Sequence, residues 1–103
     1  MFLRFGYFEV VAGGLNELRA LYNERCSPVV KRAKGNLDAY LLEPGDGGTA
    51  AAVCTIWESE ADAQAYEASS TAREMVEVVR HLFAGPPTLR SYSVTRRTAP
   101  QGP

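Results

Sequence analysis

Histidine and tryptophan each occur once in this 103-residue chain, and cysteine twice. Cys26 and Cys54 are too few for a disulfide framework. With His81 as the only imidazole they are also too isolated for a metal site, so no metal is expected and each cysteine reads as a small buried hydrophobe. Charge of one sign is missing too: 11 basic residues face 12 acidic ones, for a net charge of −1. That balance argues against nucleic acid, which needs a clustered basic face. The basic pair Arg96-Arg97 lies in a stretch rich in Pro, Gly and Thr. No apolar run reaches the length of a membrane span, and Phe2 to Val11, interrupted by Arg4 and Glu9, is too short for a signal peptide. No membrane partner is therefore expected, and a cytoplasmic location is the default. Nothing matches a nucleophilic triad or a phosphate-cradling loop; Gly45-Asp46-Gly47-Gly48 is a turn by composition.

What is present fits one domain over residues 1–95, with a flexible tail over 96–103. Leu3 to Ala12 reads as a strand, broken by Gly13-Gly14. Leu15, Leu18, Leu21, Tyr22, Cys26, Val29, Val30 and Ala33 then fall at helical spacings. Pro28 should kink or end that helix near Cys26, with a further turn beyond, and Gly35 is a natural stop. Asn36–Glu43 and Thr49–Trp57 read as an antiparallel pair around the turn Pro44–Gly48. Ser59 can cap a helix over 60–68, with Asp62 in the capping-box position. Thr71 and Glu74 form a second such pair, ahead of a helix whose stripe is Met75, Val78, Val79, Leu82 and Phe83. Gly85-Pro86-Pro87 ends it, and Leu89–Val94 is a last strand. The order β-α-β-β-α-β predicts an α+β, ferredoxin-like fold with a four-stranded antiparallel sheet.

The strands do not alternate apolar with polar. Phe8 and Val10 oppose Tyr7 and Val11, and Ile56 and Cys54 oppose Trp57 and Val53. Both faces of the sheet are apolar, so both should be covered, one by helices and the other by a second copy of the sheet. A homodimer is the expected partner.

Four features resemble the antibiotic-biosynthesis-monooxygenase-like family of dimeric α+β barrels. Strand one runs into Gly13-Gly14 and a long helix. Lys34-Gly35 leads into strand two. Thr55-Ile56-Trp57-Glu58-Ser59 is similar to the family's W-E-S signature, and Gly85-Pro86 leads into the final strand. The resemblance implies a head-to-head dimer whose ligand pockets lie between sheet and helices. It also implies one of several activities: oxygenation of quinols or polyketide-like aromatics without metal or flavin, haem degradation, or none. The haem-degrading pattern is not matched. Tyr7 stands where those relatives have Asn, Tyr66 where they have Trp, and Val76 near the place of the iron ligand. Asn36 replaces a frequent aromatic of the family's pocket. No cofactor is expected.

The residues supply the candidate chemistry. Glu9 shares strand parity with Tyr7 and Val11, the face assigned to helices and pocket. A carboxylate there is either a base for a phenol-like substrate or half of an ion pair. His81 is either an acid-base group or a histidine at a helix end. Tyr66 joins Glu9 and His81 as a catalytic candidate. Tyr7 and Trp57 are the substrate-binding candidates, although Trp57 at a strand end is equally a packing residue. Tyr7, Glu9 and Tyr66 are expected to converge on one cavity with Trp57 at its wall. Two functions fit: a cofactor-independent monooxygenase acting on a small electron-rich aromatic, or a non-catalytic ligand-binding or structural dimer.

Overall fold

A computed structural model of the chain describes residues 1–102. Pro103, at the end of the expected tail, lies outside the described residues. The elements are β1 (Phe2–Glu9), α1 (Leu15–Leu21), a π-helical turn (Tyr22–Cys26), α2 (Ser27–Val30), β2 (Asn36–Leu42), β3 (Ala50–Trp57), α3 (Glu60–Glu67), α4 (Ser70–Val79), a 3₁₀ turn (Arg80–Leu82) and β4 (Thr88–Ser93). The strands form one sheet in the order β2-β3-β1-β4, every pair antiparallel. This is the ferredoxin-like α+β arrangement expected from the sequence.

Several local expectations need correction. Strand one stops at Glu9 rather than Ala12. Beyond it the Val10 and Val11 amides donate to the Thr49 and Leu82 carbonyls, and Val10 bridges to Phe83, so the chain leaves the sheet. Of the two outcomes expected for Pro28, the helix is distorted up to Cys26 and a further turn follows, rather than ending there. Pro28 lacks an N–H, and its ring crowds the carbonyl four residues back. The helix responds by widening for one turn, with the Ser27 amide reaching back to the Tyr22 carbonyl. Ser59 caps α3 as expected, its hydroxyl accepting from the Asp62 amide at 3.2 Å. The cap of α4 is Ser69, whose hydroxyl accepts from the Ala72 amide, and not Thr71. Ser69 sits in extended backbone directly before the helix, whereas Thr71 is already inside it.

Pairing register fixes the two faces of the sheet. Phe2, Arg4, Gly6 and Phe8 share a face with their partners Trp57, Thr55, Val53 and Ala51. The helices cover this face. One buried cluster holds Phe8, Val10, Leu18, Ala51, Val79 and Leu82; a second holds Phe2, Val30, Trp57 and Ala63. Burying Leu18, 2% exposed, contributes about 1.5–3 kcal/mol on its own. The other face carries Leu3, Phe5, Tyr7, Tyr40, Leu42, Ile56 and Tyr92, with no helix among the described residues over it. Phe5 stacks on Tyr7 with ring centroids 5.7 Å apart and meets Tyr92 edge-on. Tyr7, Tyr40, Leu42 and Tyr92 are each more than 40% exposed there.

Candidate functional site

Between the helix-covered face and the helices lies a cavity of about 220 Å³. Its floor is sheet: Gly6 and Phe8 from β1, Val53 and Thr55 from β3, Leu89 from β4. One wall is the row Leu18, Tyr22, Cys26, Val30, each four residues after the last. On a regular α-helix such a row drifts by roughly 40° per step. The π-helical turn carries an extra residue per turn between Tyr22 and Cys26 and turns the drift back. The distortion that Pro28 imposes therefore keeps Cys26 and Val30 in line with Leu18. The opposite wall is Met75, Val76 and Val79 of α4, with Tyr66 of α3 closing the end. The mouth lies where no helix covers β4: Val76 is 40% exposed and Leu89 53%.

The lining is almost wholly apolar. Its polar groups are the hydroxyls of Tyr22, Thr55 and Tyr66 and the thiol of Cys26. Burial pushes the Tyr22 phenol up to about 12 and raises the Tyr66 phenol and the Cys26 thiol as well. All three are protonated at neutral pH, so the lining carries no charge from them, and the Cys26 thiol is already directed at the Met75 carbonyl. Thr55 is further organised: the Trp57 Nε1–H donates to its Oγ1 at 2.8 Å, which leaves the Thr55 hydroxyl hydrogen to point elsewhere. Among the described residues no carboxylate or imidazole lines this cavity.

The family model for antibiotic biosynthesis monooxygenases matches residues 1–78. The chain belongs to that family. No curated protein matches it. Solved structures agree on the fold. A Deinococcus radiodurans protein, provisionally an antibiotic biosynthesis monooxygenase, is 15% identical with a TM-score of 0.82, over 99% of this chain and 100% of that one. A similarly described protein of Bordetella bronchiseptica is 18% identical, TM-score 0.81, over 92% and 97%. A variant of MhuD, solved with two manganese protoporphyrin IX molecules bound per active site, is 26% identical, TM-score 0.79, over 97% and 100%.

Within this family member the expected site residues do not converge. Tyr66 lines the cavity, half-buried, its ring tilted against Trp57 with centroids 5.3 Å apart. Trp57 is only 1% exposed and sits behind Tyr66, packed on Phe2, Val30 and Ala63, so it supports the wall without forming it. Tyr7 and Glu9 lie on the other face. Register pairs them with Ala52 and Ala50, and Glu9 accepts a hydrogen bond from the Thr49 hydroxyl at 2.6 Å. The parity assigned to β1 from sequence is thus reversed, and Gly6, not Tyr7, is the β1 residue facing the cavity. Glu9 instead borders a separate open groove with Tyr7, Leu42 and Glu43. His81 is exposed, bonded through Nε2 to Glu17 of α1, and outside the cavity. Asn36 spends its side-chain amide on the Asp38 and Ile56 carbonyls, holding a bulge between Asn36 and Asp38.

Sequence reasoning missed Tyr22, Cys26 and Thr55 as cavity groups. The first two stood in the helical stripe and were read as packing. The signal for Thr55 was its place two residues before Trp57, on the same strand face.

Proposed function

We propose that the chain binds a small electron-rich aromatic, of quinol or polyketide-like type, in this cavity and promotes its direct oxygenation. The observation that carries the reading is the cavity itself, an apolar slot whose few polar groups are neutral, with family membership behind it. A volume near 220 Å³ lies below the roughly 300–1,000 Å³ of drug-sized sites, which favours one or two fused rings. The chemistry balances on the substrate alone. An aryl methylene gives up four electrons on becoming a carbonyl, and a quinol gives up four on becoming a hydroxyquinone; in either case dioxygen takes four on becoming the inserted oxygen and one water. The protein's part is to exclude water, hold the ring flat on the sheet, and stabilise phenolate character at the ligand oxygen by donation from Thr55 and Tyr66.

A second reading, a binding protein without turnover, is favoured by one observation: no group of the cavity is a base at neutral pH. Oxygen uptake separates the two. Hydroquinones and anthrone-like phenols should be consumed faster than in buffer. Tyr66→Phe and Thr55→Val should each slow uptake by roughly 10-fold while binding changes little. Binding without any accelerated uptake would leave only the second reading.

Haem fits the lining poorly. Val76 offers no iron ligand, and the Tyr22, Tyr66 and Cys26 groups, ligands by type, are held protonated by burial. Haem degradation is therefore not part of the proposal. The uncovered aromatic face of the sheet is the surface on which a second copy of the chain would dock. That dimer stands on apolar side chains that single exposure to water would penalise.

A further inference from the structure

Gly6 lies in the middle of β1, paired with Val53 on one side and Leu89 on the other. Glycine weakens a strand interior, so its presence there calls for a reason. Backbone conformation supplies none: the glycines with positive φ are Gly13, Gly35 and Gly47, and Gly6 is not among them. Close backbone approach supplies none either. A Cβ built on Gly6 would meet only side-chain ends, Val53 Cγ2 at 3.3 Å and Leu89 Cδ2 at 3.6 Å. The Leu89 contact is an ordinary van der Waals distance, and the Val53 contact is tight by a few tenths of an ångström. What a side chain at this position would occupy is the cavity floor. Of its same-face neighbours along the strand, Phe8 lines the cavity beside it while Arg4 pairs with Glu67 outside the lining, so Gly6 leaves a notch next to Phe8.

We propose that Gly6 is the size-selecting element of the cavity: the space left by its missing side chain admits the second fused ring of an aromatic ligand. This rests on the reading that the cavity takes an aromatic, but not on that ligand being oxygenated. The chemistry of the comparison is direct. A leucine side chain has four carbons, the number by which naphthalene exceeds benzene. Filling the notch with leucine should therefore reject a two-ring ligand and spare a one-ring ligand.

The test measures binding of phenol and 2-naphthol under argon by titration calorimetry, to the full chain and to Gly6→Ala and Gly6→Leu. The native chain should bind both. Gly6→Leu should bind phenol within about twofold of native and 2-naphthol at least about tenfold more weakly. Gly6→Ala guards against a leucine variant that fails to fold. It should weaken 2-naphthol selectively by a smaller factor. Unchanged 2-naphthol binding in the variants overturns the proposal. So does parallel loss of both probes, or a native chain that binds neither probe. Binding with the expected selectivity but no oxygen uptake sustains the role of Gly6 and removes the oxygenase reading instead.

Discussion

Gly35→Ala should be among the most damaging conservative substitutions in the chain, and its cost can be worked from two separate terms. Gly35 has φ of +81°, a conformation that costs an L-residue about 1–2 kcal/mol. Its Cβ would also fall 2.6 Å from the Cβ of Asp62, with the Asp62 carboxylate closer still. Asp62 cannot simply swing away, because its amide donates to Ser59 Oγ and its carboxylate accepts from the same hydroxyl. Moving it loosens the cap of α3, worth about 1 kcal/mol. The sum is about 2–3 kcal/mol. With a urea slope of roughly 1–3 kcal/mol/M, the midpoint should fall by about 1–2 M. The assay is urea unfolding followed by the fluorescence of Trp57, the only tryptophan, 1% exposed when folded. Two companion variants separate the terms. Gly35→Asn tolerates positive φ and should recover part of the strain while keeping the clash. Asp62→Gly combined with Gly35→Ala removes the clash and should show a coupling of about 0.5–1 kcal/mol in a double-mutant cycle. A cost below about 0.5 kcal/mol for Gly35→Ala would refute the argument, since neither the backbone nor Asp62 would then be holding this junction. The junction matters to function because α3 carries Tyr66, and the Gly35 carbonyl accepts from the Glu58 amide at 2.8 Å directly before that helix.

Three further outcomes are expected. The chain should run as a dimer in size exclusion with light scattering, and Phe5→Arg, at the centre of the uncovered aromatic face, should give a folded monomer; a native monomer at micromolar concentration would remove the dimer. Stability should fall in alkali: the Tyr22 pKa is raised by burial from 10.0 to about 12, so its contribution is complete below pH 10 and is lost as pH rises toward 12, with Cys26, also raised, adding loss above pH 9. A urea midpoint that holds between pH 7 and 8.5 and then declines checks this; a midpoint that rises with alkali contradicts it. Haem with an electron donor should show no loss of the Soret band beyond a buffer control, and conversion to a bile-pigment-like product would count against the donor-set argument.

Much of the fold was legible because local signals agreed with one another. The two-glycine break, the Pro44–Gly48 turn, the Ser59 cap and the Gly85-Pro86-Pro87 stop punctuate the chain where the structure does. Sheet parity was not legible, and the reason is physical. A strand apolar on both faces carries no alternation to orient it. In β1 the cavity-facing row is Phe2, Arg4, Gly6, Phe8 and the outward row is Leu3, Phe5, Tyr7, Glu9. Each row contains one charge, and the row that faces the cavity hides itself because one member has no side chain. Reading Tyr7 as inward therefore carried Glu9 with it, and a base was placed where the structure has none. The cost of Glu9 decides the matter in hindsight: a carboxylate on the helix-covered face would have needed a buried partner, whereas outward it meets the Thr49 hydroxyl at the rim. Arg4 takes the inward place only because Glu67 at the end of α3 pairs with it. The consequence reaches the chemistry. With Glu9 and His81 both outside, the polar groups at the cavity are those of Thr55, held by Trp57, Tyr22, set at the π-helical turn, Cys26 and Tyr66, and under the proposed reading activation of a phenol would fall to the hydroxyls and to the ligand's own acidity.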